Sequence, residues 1–208
     1  MSYFYMSAAS YTIVIPIICG LILYKHLPAY GRVLLSYLFL SILAELLSSY
    51  LGSAKINNMP VLHIYTVAQF LLIIWFFKEV FSSALISRYL YIIAVAFVLF
   101  AICNTLFIQS IYEFNSYSRS TEAIIIILIC LYFFKQQLSK EIAWTKEPMT
   151  WFVLGFFIYF SSSLTIFIVS NVVLSLSIYF EWIMWNIHAT IELVMYLLFT
   201  RGFIACKK

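Results

Sequence analysis

Aspartate is absent from this sequence of 208 residues, and charged residues of all kinds make up only 10% of it. Soluble domains carry roughly 25% charged residues. Hydrophobic residues make up 65%, and the mean hydropathy is +1.03. A soluble domain of this size leaves roughly a third of its unfolded-chain surface in water, so it could not hide so much apolar area. The composition therefore excludes a soluble enzyme, a disordered chain and a nucleic-acid-binding protein, and predicts a polytopic helical membrane protein in contact with the lipid bilayer.

The motifs of common catalytic and cofactor sites are missing as well. The chain contains no GxSxG, Walker, HExxH or CxxC motif, no lysine in the middle of its last apolar segment for a retinal Schiff base, and no TVGYG filter. Its four cysteines lie in apolar segments or near the C-terminus, which is typical of packing residues. We therefore expect no cofactor and favour a non-enzymatic function, with no catalytic residue identified.

Charges divide the chain into seven apolar segments that fit transmembrane helices. Residues 148–180 form a charge-free run of 33. At ~1.5 Å per residue this run would extend about 50 Å, which is too long for one ~30 Å hydrocarbon core, so we expect a turn near Ser170 and Asn171. The fifth segment is the shortest, because Arg119 and Lys135 bound it. The predicted spans, in a single transmembrane domain over 1–208, are 11–27, 33–51, 60–77, 89–111, 118–135, 149–171 and 181–200.

Prolines agree with these borders. Pro28 closes the first span, and Pro60 and Pro148 lie where helices are expected to start. Pro16 falls inside the first span and should kink it. The first ten residues carry no lysine or arginine, so they lack the basic region of a signal peptide, and we expect the first span to be retained.

The distribution of basic residues predicts the orientation. Ten of the twelve lysines and arginines fall in loops after odd-numbered spans or at the C-terminus, and only Lys55 and Arg119 fall on the other side. Short loops rich in lysine and arginine stay in the cytoplasm. The N-terminus is therefore predicted outside and the C-terminus inside. The same bias accounts for the net charge of +4 without an acidic partner.

Ionisable side chains inside the spans are few, and they are the candidates for function. Glu45 on the second span, and His188 and Glu192 on the seventh, lie in the outer half of the bundle or near its centre. A carboxylate in hydrocarbon costs roughly 2.5–3.5 kcal/mol on insertion scales, so we expect these acids to face the bundle interior with a partner or a proton. The predicted outward-opening polar pocket is formed by Glu45, Ser49, His63, Gln69, Tyr159, Ser162, Trp185, His188 and Glu192.

Four of these residues, Glu45, His63, His188 and Glu192, could alternatively bind zinc. The HxxxE of the seventh span is similar to the HxxxH on the last helix of alkaline ceramidases, which are seven-helix membrane hydrolases. This resemblance implies a metal-dependent lipid hydrolase. The chain departs from the family pattern, because Glu192 stands where the second histidine would be and the expected aspartate is absent. We favour a hydrogen bond between His188 and Glu192 over a metal.

The chain resembles small, uncharacterised bacterial seven-helix inner-membrane proteins in three segments, AELLSSYLGSAKINNMPVLHIYTVAQF, FFIYFSSSLTIFI and WNIHATIELVMYLLF. Those proteins carry a glutamate at the position of Gln69 and often an asparagine at that of Glu192. A remoter likeness is to three-plus-one-plus-three seven-helix transporters and receptors. When residues 63–80 are laid over 186–203, however, only two of eighteen columns are identical. The resemblance implies the fold and the inner membrane, and supplies no activity.

Four hypotheses follow for the function. The leading one is a membrane sensor or binding protein for a small or amphiphilic ligand, and it requires a partner signalling protein because the loops are short. The second is a carrier in which Glu45 or Glu192 takes up protons. The third is the metal-dependent lipid hydrolase, and the fourth is a structural subunit.

Overall fold

The computed structural model describes residues 11–138, 146–176 and 178–207, and that part of the chain contains helices and no strand. It forms seven α-helices, of which six are long and apolar enough to cross a membrane. The predicted all-α, multi-pass architecture is confirmed at this level. The helices are α1 (Val14–Ile22), α2 (Ala29–Ser53), α3 (Met59–Phe81), α4 (Ala84–Cys103, continued by a π-helical turn over Asn104–Ile108), α5 (Ser116–Leu138), α6 (Pro148–Leu176) and α7 (Ile178–Ala205).

Prolines mark the helix starts that the sequence predicted. Pro60 lies in the first turn of α3, and Pro148 is the first residue of α6. Proline is favourable there, because the first amide groups of a helix have no partner within it. Pro16 lies in the first turn of α1, where the Thr12 carbonyl accepts a hydrogen bond from the Ile15 amide at 3.0 Å. Because proline has no N–H to offer that carbonyl, the regular helix begins only two residues before it.

The first predicted span is matched only in part. Within the described residues α1 has 9 residues, and a 3-10 turn over Tyr24–His26 follows it. It is therefore not among the six candidate spans. The ten N-terminal residues, on which the signal-peptide prediction rests, and residues 139–145 between the predicted fifth and sixth spans lie outside the described residues. The seventh crossing stays a prediction, and so does the orientation of the termini.

The predicted turn at Ser170 and Asn171 is wrong, because α6 continues to Leu176. The Ser170 hydroxyl donates to the Phe167 carbonyl at 2.9 Å within the helix, and neither glycine nor proline follows to end it. With 29 and 28 residues, α6 and α7 each extend about 42 Å at 1.5 Å per residue. Both helices are therefore longer than a ~30 Å hydrocarbon core requires.

The chain divides into two compact units. The terminal unit contains α1, the part of α5 from Ala123 onward, α6 and α7; the central unit runs from Ala29 to Glu122. Because α1 is grouped with α6 and α7, this division does not follow the three-plus-one-plus-three grouping. The internal repeat stays a prediction, as does the single transmembrane domain.

In the terminal unit, α6 and α7 approach closely because each offers a glycine to a phenylalanine of the other. A Cβ atom at Gly155 would lie 2.6 Å from Cε1 of Phe199, and a Cβ atom at Gly202 would overlap the ring of Phe152. The two rings are in edge-to-face contact, with their centroids 6.2 Å apart. Small residues at helix interfaces allow such approach in membrane proteins. The register of the two helices is therefore fixed by reciprocal glycine–phenylalanine packing.

In the central unit, α3 packs against both α2 and α4. The rings of Phe70 and Phe97 lie 4.0 Å apart in its core, and neither residue is more than 2% exposed. The Tyr65 hydroxyl and the Ser41 hydroxyl are 2.9 Å apart and join α3 to α2. Towards the start of α3 the buried side chains change from aromatic to polar, and these polar side chains form the candidate site.

Candidate polar binding site

A buried polar cluster lies where the start of α5 meets α3. We define it as five side chains: Thr66 and Gln69 on α3, Asn115 immediately before α5, and Arg119 and Glu122 in the first two turns of α5. None is more than 8% exposed, and Glu122 is completely buried. The α5 positions are spaced i, i+4 and i+7, so they share one helix face. Two helices thus present matching polar stripes to each other.

Hydrogen bonds within the cluster run from one stripe to the other. The Gln69 side-chain amide donates to Oε1 of Glu122 at 2.7 Å. The Asn115 amide donates to the Thr66 hydroxyl at 2.7 Å and to the Leu62 carbonyl at 3.3 Å. The Thr66 hydroxyl in turn donates to the Leu62 carbonyl at 2.8 Å. Because the earlier residue of α3 meets the earlier residue of α5, the two helices run parallel.

The cluster also contains a buried ion pair. Nη1 of Arg119 lies 3.5 Å from Oε2 of Glu122, and the guanidinium lies 6.0 Å from the centre of the Tyr65 ring. Arg119 occupies the first turn of α5, where the helix dipole disfavours a positive charge. A buried charge needs nearby compensation. The Glu122 carboxylate supplies it, and the face of the Tyr65 ring adds a weaker attraction.

Several oxygen atoms of the cluster lack hydrogen bonds. Within the described part of the chain, Oε1 of Gln69, Oδ1 of Asn115 and Oε2 of Glu122 are buried and have no hydrogen-bond partner. Oδ1 of the neighbouring Asn104 is also buried without a hydrogen-bond partner. Leaving a buried polar group unpaired costs ~1–3 kcal/mol, so native proteins satisfy almost all of them. All four atoms accept hydrogen bonds, and Oε2 of Glu122 also faces Nη1 of Arg119 at 3.5 Å. A group that pairs with the other three has to donate an N–H or O–H.

His63 lies beside the cluster and has two bonded ring nitrogens. Its Nε2 is 3.1 Å from the Glu113 carbonyl, which can only accept, so Nε2 carries a proton. Its Nδ1 is 3.1 Å from the Thr105 hydroxyl, which also lies within bonding distance of the Ala101 carbonyl. His63 therefore joins the start of α3 to the π-helical turn and to the segment that precedes α5.

The π-helical turn at the end of α4 closes this side of the cluster. Asn104 is completely buried in that turn, and its amide donates to the Ser118 hydroxyl at 3.2 Å. The Gln109 amide donates to the Ser116 hydroxyl at 3.1 Å. These bonds join the turn to the start of α5. Single π-helical turns occur often at functional sites, because they reorient side chains within a helix.

A second polar group, in the terminal unit, is a serine–histidine–glutamate chain. The Ser163 hydroxyl is 3.2 Å from Nδ1 of His188, and Nε2 of His188 is 3.5 Å from Oε1 of Glu192. His188 is buried, and its ring packs against the rings of Tyr159 and Trp185, at 5.5 and 5.8 Å between centroids. The order of groups is that of a hydrolytic triad. Ser163 itself is completely buried.

Three residues predicted for the pocket have exposed side chains. Glu45 and Ser49 are exposed on α2, because its buried stripe passes through Ser41 and Ala44 instead. Ser162 is exposed on α6, whereas its neighbour Ser163 faces inward. The expectation that Glu45 is buried in the bundle interior is therefore not met.

The remaining predicted residues are divided between the two units. The central unit brings His63 and Gln69 to the buried polar cluster and its border. The terminal unit brings Tyr159, Trp185 and His188 together around the serine–histidine–glutamate chain. A pocket shared by Glu45 with the α7 residues would draw on both units, and it stays a prediction.

Four members of the cluster were missing from the prediction. Arg119 lies at the outer border of the predicted fifth span, and Thr66, Asn115 and Glu122 belong to no predicted site. The available signal was the i, i+4, i+7 spacing on both helices, at Leu62, Thr66 and Gln69 and at the three α5 residues. An arginine three residues before a glutamate also marks an ion pair on one helix face.

No family model, no curated protein and no solved structure matches this chain. The resemblance to bacterial inner-membrane proteins and to alkaline ceramidases therefore stays a prediction. Among the described residues, no group of three or more histidine, cysteine, aspartate or glutamate side chains could hold a metal ion. The alternative zinc set of Glu45, His63, His188 and Glu192 draws on both units, and it stays a prediction.

Proposed function

We propose that this protein is an integral membrane binding protein of the sensor type, and that its ligand occupies the buried polar cluster. The observation that carries this proposal is the presence of two buried amide oxygens without a hydrogen-bond partner, Oε1 of Gln69 and Oδ1 of Asn115, in the same cluster as the Arg119–Glu122 ion pair. One such atom is common in a packed protein, but two in one buried cluster support a binding site. The proposed binding site therefore differs from the predicted pocket, and Gln69 is the residue that the two have in common.

The chemistry of the site selects the ligand class. The unpartnered oxygens accept hydrogen bonds from amine, amide or hydroxyl groups. Arg119 adds one positive charge that Glu122 already balances, so the site favours a neutral or zwitterionic molecule over an anion. A small polar molecule, or the polar head of an amphiphilic one, meets these requirements.

The orientation rule places this site towards the outside. The ten-to-two distribution of basic residues supports an outward N-terminus, so α3 and α5 both start on the outer side. Glu122 is six residues from the start of α5, about 9 Å at 1.5 Å per residue. A ligand would then arrive from outside the inner membrane, and the signal would pass to a partner protein through the helices or the short inner loops.

Co-purification tests the binding proposal. The protein is extracted in mild detergent without added ligand and examined by native mass spectrometry. We expect a bound small molecule in the wild type, and its loss in Gln69→Leu and Asn115→Leu. Ser162→Leu is the matched control, because it removes an exposed polar side chain and should keep the molecule. Retention of the molecule in both cluster variants, or a crystal structure with only water at these oxygens, would contradict the proposal.

A proton-coupled carrier is the second candidate, and the contact between Gln69 and Glu122 favours it. The glutamine amide can present its N–H₂ to a carboxylate, or its oxygen to a protonated acid, by turning over. The pair thus remains bonded whether or not Glu122 holds a proton. Proteoliposomes with an entrapped pH dye, under an imposed pH gradient, test this. A carrier shows proton flux that Glu122→Gln abolishes, whereas a sensor shows none in either protein.

A further inference from the structure

A groove with a volume of about 360 Å³ lies between α3 and α4, at the opposite end of α3 from the buried polar cluster. Its floor consists of Ile74, Leu90 and Ala94, none more than 8% exposed. Trp75 and Tyr91 form its two rims and are each more than half exposed. The volume falls in the range of small-ligand pockets. The groove is therefore a formed surface feature, open along one side.

The groove is polar at one end and apolar at the other. Lys78 and Ser87 line the end near the α3–α4 connection, each three residues from the adjoining helix terminus. Leu71 and Ala94 line the other end. Seven residues separate Leu71 from Lys78, which is about 10 Å along the helix. The polar end thus lies at the membrane border, and the apolar end lies within the hydrocarbon layer.

The Lys78 ammonium group is held at the polar end. It lies 5.6 Å from the centre of the Tyr91 ring, a cation–π contact across the two helices. Glu79 approaches the ammonium to 3.9 Å but does not line the groove, and its Oε1 accepts a hydrogen bond from the Trp75 indole at 3.2 Å. The cation therefore faces the groove, and the acid lies behind it.

We propose that this groove binds an anionic phospholipid. The phosphate group would pair with Lys78 and accept a hydrogen bond from Ser87, and one acyl chain would lie over Ile74, Leu90 and Ala94. Basic pockets between transmembrane helices bind anionic headgroups in this way. The polar-to-apolar order along the groove matches a lipid standing in the bilayer, whereas a free phosphate would leave the apolar end empty. The proposal is independent of the ligand proposed for the buried polar cluster.

Native mass spectrometry with titrated lipids tests this proposal on the full chain. The probes are phosphatidylglycerol and phosphatidylcholine with identical acyl chains, together with inorganic phosphate. We expect the wild type to bind phosphatidylglycerol in preference. Lys78→Gln should weaken that binding about fivefold, the effect of one basic residue on an anionic lipid, and leave phosphatidylcholine unchanged. Glu79→Gln removes the opposing charge and should strengthen it.

Two further variants make the test specific. Arg88→Gln removes the same charge from an exposed residue that does not line the groove, and should have little effect. Ala94→Phe fills the apolar end and should weaken binding of both lipids; Leu71→Ala, which only trims the wall, gives the same direction if the larger residue prevents folding. Equal effects of Lys78→Gln and Arg88→Gln would show diffuse surface charge instead. Full competition by inorganic phosphate would show an aqueous anion site, and either result overturns the proposal.

Discussion

Replacing Glu122 by glutamine should destabilise the protein more than any loss of a single hydrogen bond. The substitution keeps the shape and the contact to Gln69, which lies 2.7 Å away, but it removes the charge beside Arg119. Interhelical hydrogen bonds in membranes contribute about 0.6 kcal/mol on average. Breaking a buried ion pair costs ~3–5 kcal/mol, because the remaining charge stays buried without compensation. Since Arg119 is only 8% exposed, we expect Glu122→Gln to fall in this second range.

Unfolding in mixed dodecyl maltoside and dodecyl sulfate, followed by far-ultraviolet circular dichroism, measures the free energy of unfolding for each variant. Gln69→Leu is the matched control and should cost about 1 kcal/mol, as a hydrogen bond alone would. The double variant Glu122→Gln with Arg119→Gln should recover most of the loss, because no charge is then left unpaired. If Glu122→Gln costs no more than Gln69→Leu, or if the two charge substitutions are additive, the ion pair does not stabilise the buried charges.

Three other substitutions or fusions test separate parts of the structure. Gly155→Ala places a Cβ atom 2.6 Å from a phenylalanine ring of α7, so overpacking should lower the free energy of unfolding by ~1–3 kcal/mol. An unchanged free energy of unfolding would show that the two helices can separate without cost. Ser163→Ala removes the hydrogen bond to the α7 histidine and should lower the free energy of unfolding by ~0.6–1.7 kcal/mol in the same assay. The control Ser162→Ala changes an exposed serine and should leave it unchanged; equal effects of the two substitutions would contradict the inward position of Ser163. A reporter fused after Lys208 should be cytoplasmic and one inserted within residues 55–58 extracytoplasmic; the reverse would refute the orientation.

The sequence predicted the fold well where a single physical quantity controls it. Charges are expensive in hydrocarbon, so their spacing marks the spans, and all seven predicted segments contain a helix. Proline lacks an amide hydrogen, so Pro60 and Pro148 mark helix starts. The end of α6 was missed because a membrane helix does not need to stop at the bilayer border. Without a glycine or proline after Asn171, nothing in the chain ends the helix before Leu176.

The candidate site was predicted less well, because it depends on how the helices are rotated. Three consecutive serines end at Ser163, and each is turned 100° from the next, so composition cannot show which one faces inward. The predicted burial of Glu45 depends on rotation in the same way, because Ala44, one position earlier, is the buried residue. Arg119 marks only the border of the predicted fifth span, because a lone arginine in a span is costly. Its partner Glu122, three residues later, removes that objection, but only the structure shows the two side chains buried together.

The position of that ion pair has a consequence for how the protein is made. A newly synthesised α5 enters the membrane with Arg119 and Glu122 in its first two turns, and such residues oppose insertion. Two groups that offset them, the Gln69 amide and the Tyr65 ring, belong to α3, which emerges earlier from the ribosome. We therefore expect the insertion of α5 to depend on an α3 that is already in place. On this reasoning the polar cluster sets an order of assembly, in which the fifth helix enters the bilayer against the third.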